Sequence, residues 1–295
     1  MNDSKDMRIK RTSARILLRR FFGITAVAFL PVFSACSSAK DSAQADSLPT
    51  GSFDSTYSVY AQLLQQFVQG DKVDYAAFSD KKDDLQKVVA GFGALSADSL
   101  KAMSREDQIA FYINAYNAIT LYSILERYPD IKSIKDIKGV WDNRKWNVAG
   151  EKLTLNDIEN AKLRANYGEP RIHFAINCAS RGCPPLSPAP FLGSTLDKQL
   201  AERTHSFFND PERFKYDNTS GTLQITKIFK WFGEDFLANN NARPKNGKLS
   251  EKDAAIVAFI AARLPDELSQ KVLDGAKSLD YLEYDWTLND IEQQH

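Results

Sequence analysis

The segment RIHFAINCASRGCPPL, residues 171–186, holds one of the chain's three histidines and two of its three cysteines. An acid, Glu159, stands on the stretch that leads into it. Three chemistries are open to these side chains. In the first, Cys178 and Cys183 form a disulfide, which a four-residue turn can close and an oxidising compartment permits. In the second, Cys178 is a nucleophile, His173 is its general base and Glu159 orients the imidazole, the thiol, imidazole and acid logic of cysteine hydrolases. The third is a zinc site from His173, Cys178 and Cys183. Their spacing matches no usual ligand pairing and a fourth ligand is missing, so no metal is expected. The first two are compatible, because a resting disulfide can be the stored form of a catalytic thiol. Asn114 and Asn117 complete the candidate catalytic set.

Elements must bring these groups together. Alternation over 171–177 predicts a strand, with His173 on its polar side and Cys178 ending its apolar side where Ala179-Ser180-Arg181-Gly182 turns the chain. Amides in such a turn can stabilise a thiolate. Glu159 rides on LNDIENAKLR, a helix that Thr154 and Asp157 can cap reciprocally. Ser104 and Asp107 repeat that pattern at the start of the longest helix, which ends before Pro129. Its apolar residues Ile109, Tyr112, Ile113, Tyr116, Ile119 and Leu121 wrap so much of its circumference that it is expected to be central. Asn114 and Asn117 share one of its faces and must find partners, since burying an unpaired amide costs on the order of 1 to 3 kcal/mol.

Further helices are read over 54–69, 85–95, 196–208, 228–237, 251–263 and 266–275. Hairpins are read at 146–153 and 214–225, and a last strand over 279–284. Trp231, Phe232 and Phe236 have helical spacing and read as core, while Asp285 and Trp286 read as a closing clamp. Helices outnumber short strands in irregular order. The expected class is α+β, a central buried helix packed with a small, mostly antiparallel sheet and several surrounding helices.

The N-terminal residues fix the compartment of the sulfurs. Seven basic side chains from Lys5 to Arg20 precede the apolar run GITAVAFLPVF, which is too short to span a bilayer, so residues 1–35 read as a signal peptide. Phe33-Ser34-Ala35-Cys36 resembles a bacterial lipobox, with Phe33 where Leu is usual. Lipidated Cys36 would then anchor the chain to a membrane, and Ser37 and Ser38, which carry no acidic retention signal, point to the outer membrane facing the periplasm. Residues 36–52 are nearly devoid of apolar groups and read as a flexible tether, and residues 53–295 as a single globular domain. Cleavage before Cys36 leaves 31 basic against 36 acidic side chains. That balance argues against nucleic acid as a partner, which would demand a basic face.

The pieces FYINAYNAI, LTLNDIENAKLR, RIHFAINCASRGCPPL, TKIFKWFGEDF and YDWTLN occur in the order seen in the domain-of-unknown-function 547 family, which the chain resembles over about residues 71–289. Phe232 stands where the family's fourth motif has Tyr beside Trp. The resemblance implies Asn114, Asn117, Glu159, Arg164, His173, Cys178, Trp231, Asp235, Asp285 and Trp286 as motif residues. It also implies that Cys178 is the chemically necessary sulfur, because plant members commonly carry serine at the position of Cys183. A more distant similarity to papain or transglutaminase architecture, in rearranged order, is also expected. Two classes of function follow. One is a periplasmic cysteine-dependent hydrolase or acyl transferase acting on an amide, peptide or thioester. The other is a non-catalytic, lipid-anchored binding or scaffold module whose 171–186 loop is stapled by a structural disulfide. Neither needs a cofactor.

Overall fold

Ser104 caps the helix Arg105–Leu125 by accepting from the Asp107 amide at 3.0 Å. All residues from Ile109 to Leu125 are buried, as a helix apolar around its whole circumference requires. The computed structural model describes residues 54–238, 242–245 and 248–291, so the expectations for the signal peptide, lipobox and tether lie outside the described residues. The helix Lys82–Ala94 packs against both the central helix and the helix Asp54–Phe67. With residues as distant as Leu288 they form the larger of two hydrophobic clusters. The smaller joins Phe207 and Phe208, at the end of the helix Leu196–Phe208, to Phe229, Phe236 and the apolar helix Glu251–Ala261.

The strands are short, and the fold is α+β. The hairpin Trp146–Val148 with Glu151–Leu153 turns through Ala149 and Gly150, both at positive φ. That is the primed-turn geometry which matches strand twist. In the second cluster, Phe214–Asp217 pairs antiparallel with Thr222–Ile225, which in turn pairs parallel with Ser278–Tyr281. The helix expected over 228–237 is a short helix, Ile228–Phe232, followed by a 3-10 turn, Gly233–Phe236.

The strand expected over 171–177 is instead a 3-10 helix, Pro170–Phe174. Pro170 presets φ at its first turn, Glu169 accepts from the Arg171 amide at 3.1 Å, and the Glu169 carboxylate also grips the Arg171 guanidinium at 2.7 and 2.8 Å. The segment is wedged between the two clusters, with Ile172, Ala175 and Ile176 in the larger and Phe174 in the smaller. His173 is therefore buried at their junction rather than lying on a polar face.

Beyond Tyr281 the chain runs back across the molecule. Ser133 Oγ donates to the Trp286 carbonyl at 2.7 Å, the Arg181 amide to Thr287 at 2.9 Å, and the Val73 amide to Asn289 at 2.8 Å. One extended segment thus stitches three loops distant in sequence. No helix among the described residues is long and apolar enough to cross a membrane.

Candidate functional site

The loop that carries Cys178 is held by asparagines. Asn117, buried on the central helix, donates to the Ala175 carbonyl at 3.0 Å and accepts from the Asn177 amide at 2.8 Å. Asn177 spends its own side chain on Pro184 and Ala179, both at 2.8 Å. Asn114 brackets Phe191, donating to its carbonyl at 2.7 Å and accepting from its amide at 2.9 Å. The two amides placed in the catalytic set thus bind backbone, Asn114 also donating to the Tyr57 hydroxyl at 3.2 Å, and neither is among the residues that line the cavity described below. Ala179, next to the thiol, sits at φ 59 and is fully buried. A non-glycine residue in that region stores strain of order 1 kcal/mol or more, which persists only where the surroundings over-determine it.

Cys178 and Cys183 are free thiols in this structure, and no bridge staples the loop. Cys183 is buried and its Sγ accepts from the Cys178 amide at 2.9 Å. Cys178 is partly exposed, its Sγ lying 3.2 Å from Ser180 Oγ and 3.3 Å from the Tyr284 hydroxyl. Hydrogen bonds to the thiolate, from Cys183 first and then from Ser180 and Tyr284, outweigh burial and hold the Cys178 thiol below its ordinary range. Burial pushes Cys183 the other way. Burial, and then the charge of Cys178, also keep Tyr284 a phenol, fit to donate.

The imidazole is organised by a residue other than the one expected. His173 Nε2 lies 2.7 Å from Asp235 Oδ2, so Asp235, not Glu159, orients the ring. Arg164 clamps the same carboxylate through Nε at 2.6 Å and Nη2 at 2.9 Å. Phe232 stacks on His173 at 4.4 Å, with the Arg164 guanidinium 4.7 Å over the phenyl ring. Although burial favours the neutral acid, the hydrogen bonds of His173 and Arg164 hold the Asp235 carboxyl well below the usual carboxylate range. Burial also lowers His173, so the ring is neutral at pH near 7, with an Nε2–H facing ionised Asp235 and a lone pair on Nδ1. Among the described residues no hydrogen bond joins this ring to Cys178.

Glu159 and Arg164 lie on a π-helix, Asp157–Arg164, opened by the reciprocal cap of Thr154 and Asp157 at 2.9 and 3.0 Å. In this wider turn the bonding runs from i to i+5, so residues five apart come nearly into line, and such turns concentrate at functional sites. Here Glu159 is buried and Arg164 half-buried. Glu159 is 9% exposed and accepts from the Tyr116 hydroxyl at 3.4 Å. Burial first, and then the charge of Cys178, push its carboxyl up to about 7.

Cys178, Cys183, His173 and Glu159 all line one cavity of about 200 Å³. Its other walls are largely aromatic: Tyr116, Trp141, Trp231, Phe232, Tyr284 and Trp286. Trp231, read from the sequence as core, is 45% exposed at this cavity, whereas Phe236 is fully buried as expected. Asp285 shapes the wall through the backbone, accepting from the Thr287 amide at 2.9 Å through Oδ1 and from the Gly182 amide at 2.8 Å through its carbonyl. Among the described residues no three His, Cys, Asp or Glu side chains converge as a metal site.

Sequence reasoning missed Tyr284 altogether and gave Asp235 no role. Both act across long separations, Asp235 lying 62 positions from His173 and Tyr284 106 positions from Cys178. The signal that could have found them is their place inside or beside the WFGED and DWT motifs. No curated protein and no solved structure matches the chain, and the expected likeness to papain or transglutaminase gains no support. Residues 100–208 match the family model described as Protein of unknown function, DUF547, and this span carries Asn114, Asn117, Glu159, Arg164, His173 and both thiols.

Proposed function

We propose that the protein is a cysteine-dependent hydrolase or acyl transferase with Cys178 as its nucleophile. The observation that carries this reading is a partly exposed thiol, charge-stabilised by two hydroxyls and a second thiol, opening on a cavity shared with a His173–Asp235 pair. Because these donors already favour the thiolate, His173 is not needed to deprotonate it. Its Nδ1 lone pair is free to take a proton from water or an incoming nucleophile, and Asp235 stabilises the imidazolium that results.

In the acylation step the thiolate sulfur bonds to the substrate carbonyl carbon, and the carbonyl π pair moves to oxygen. Collapse expels the leaving group, which departs as its anion or with a proton taken from water, and leaves a thioester on Cys178. Water or an amine then attacks the thioester. The amides around the thiol are committed, that of Cys178 to Cys183 Sγ, that of Ala179 to Asn177 and that of Gly182 to Asp285. The two hydroxyls are different: Ser180 Oγ and the Tyr284 phenol lose their anionic partner when the sulfur attacks, and so become the donors best placed to meet the developing oxyanion.

The reaction belongs to the periplasmic face of the outer membrane, where lipidated Cys36 would hold the chain. Incubation of the purified protein with 4-nitrophenyl acetate is expected to release a burst of nitrophenol and leave one acetyl group on Cys178, detectable by peptide mass spectrometry. Cys178→Ala is expected to abolish both. A parent protein with neither burst nor adduct would remove the reading.

A further inference from the structure

The cavity's charge and its walls ask for a particular substrate. No lysine or arginine is among its lining residues and His173 is neutral; nearby, Arg164 is paired with Asp235 through two bonds and the Lys135 ammonium lies over the Trp286 ring. Glu159 and the Cys178 thiolate face the same hollow, and each raises the cost of ionising the other. The surrounding surface is π-rich. Trp231, Tyr284 and Trp286 form a contiguous wall with ring centroids 4.7 to 5.9 Å apart, and Trp141 meets Trp286 edge-on at 6.1 Å. Trp286 already carries a cation, the Lys135 ammonium 3.8 Å from its ring centroid. An aliphatic acyl chain would be served as well by leucines and would gain nothing from a buried acid, whereas aromatic faces beside a carboxylate suit an alkylammonium group.

We propose that this cavity receives the cationic end of the substrate, a primary or quaternary alkylammonium, between the wall of Trp231, Tyr284 and Trp286 and the carboxylate of Glu159. This rests on Cys178 being the nucleophile, and it gives Glu159 a task in place of the imidazole-orienting one that Asp235 holds. Ammonium binding neutralises the charge on Glu159, and the reacting carbonyl is then held at a fixed reach from the sulfur.

Three methanethiosulfonates test it on the full chain: the cationic trimethylammonioethyl reagent, its neutral isostere the 3,3-dimethylbutyl reagent and the anionic sulfonatoethyl reagent. In each the thiolate attacks the sulfenyl sulfur, an S–S bond forms and methanesulfinate leaves. Loss of free Cys178 therefore reports the first step, even if Cys183 later displaces the adduct. Rates are measured at about pH 8, where Glu159 is ionised, and divided by those of N-acetylcysteine. The cationic-to-neutral ratio is expected to exceed that of the free thiol by about tenfold. It should fall most of the way back in Glu159→Gln and in Trp231→Ala, the latter a substitution at an exposed position. A neutral reagent that reacts well with no cationic preference would overturn the proposal and leave the nucleophile standing. A cationic preference unmoved by both variants would also overturn it, by assigning the effect to the thiolate alone. A Cys178 inert to all three reagents would overturn both readings.

Discussion

At Cys178 the donors that favour the thiolate come from two places in the chain, Cys183 and Ser180 in its own loop and Tyr284 far beyond it. Tyr284→Phe removes one of them. The midpoint of iodoacetamide alkylation against pH is expected to rise by roughly one pH unit, a hydrogen bond to a charged group being worth about 1.5 kcal/mol. An unmoved midpoint would take the phenol out of the site. Glu159 is the opposite case, a carboxyl whose folded value, about 7, lies above its ordinary 4.5. The folded chain holds that proton more tightly than the unfolded one. The acid's favourable contribution is therefore complete below its unfolded value and is lost as pH climbs to about 7. Glu159→Gln escapes the loss, so the variant should match the parent near pH 4.5 and exceed it by about 3 kcal/mol at about pH 8. Denaturant titrations across that range decide it, and parallel curves would mean that the acid ionises in the fold as it does in water.

At the scale of elements, the site is a meeting of a loop, a π-helix and the segment beyond Tyr281. Gly182 marks a close approach of the loop to that segment: a Cβ there would stand 2.9 Å from the Asp285 amide nitrogen and 3.0 Å from the Tyr284 ring. Gly182→Ala is accordingly expected to push the aromatic wall away from the sulfur. It should slow Cys178 alkylation and cost about 1 to 3 kcal/mol of stability, as overpacking does; wild-type values for both would show that the contact is slack. The same element scale decides what could be read from sequence. Ser104 with Asp107, Thr154 with Asp157 and the hairpin through Ala149-Gly150 were legible because caps and turns are made within a few residues. The 171–177 segment misleads because its polar residues are buried with its apolar ones: residues 172–177 are all buried in a stretch that opens with a 3-10 helix and is wedged between two cores, so burial does not follow the strand period. Cys178, His173 and Glu159 were found by residue type alone, and they do line one cavity. The partner of each was not legible, because hydrogen bonds across 62 or 106 positions leave no periodic trace. Trp231 reads as core from sequence yet is exposed, because helical spacing reports a face, not what covers it.

At the scale of the whole molecule, the anchor and the enzyme reading make separate claims. Cys36→Ser is expected to shift the protein from the membrane pellet to the soluble periplasmic fraction, with Cys178 reactivity unchanged. Retention in the pellet would remove the lipid from the account without touching the cavity. The stitching segment has a consequence for biogenesis. Tyr284 and Trp286 are contributed by residues added more than a hundred positions after the sulfur they enclose, and chains emerge and fold from the N-terminal side first. Until the 284–290 stretch is delivered and docked, Cys178 has only the donors of its own loop, Cys183 and Ser180, and lacks both the Tyr284 hydroxyl and the aromatic wall. Translation that stops early would release a product whose sulfur has no such wall against which a substrate could seat.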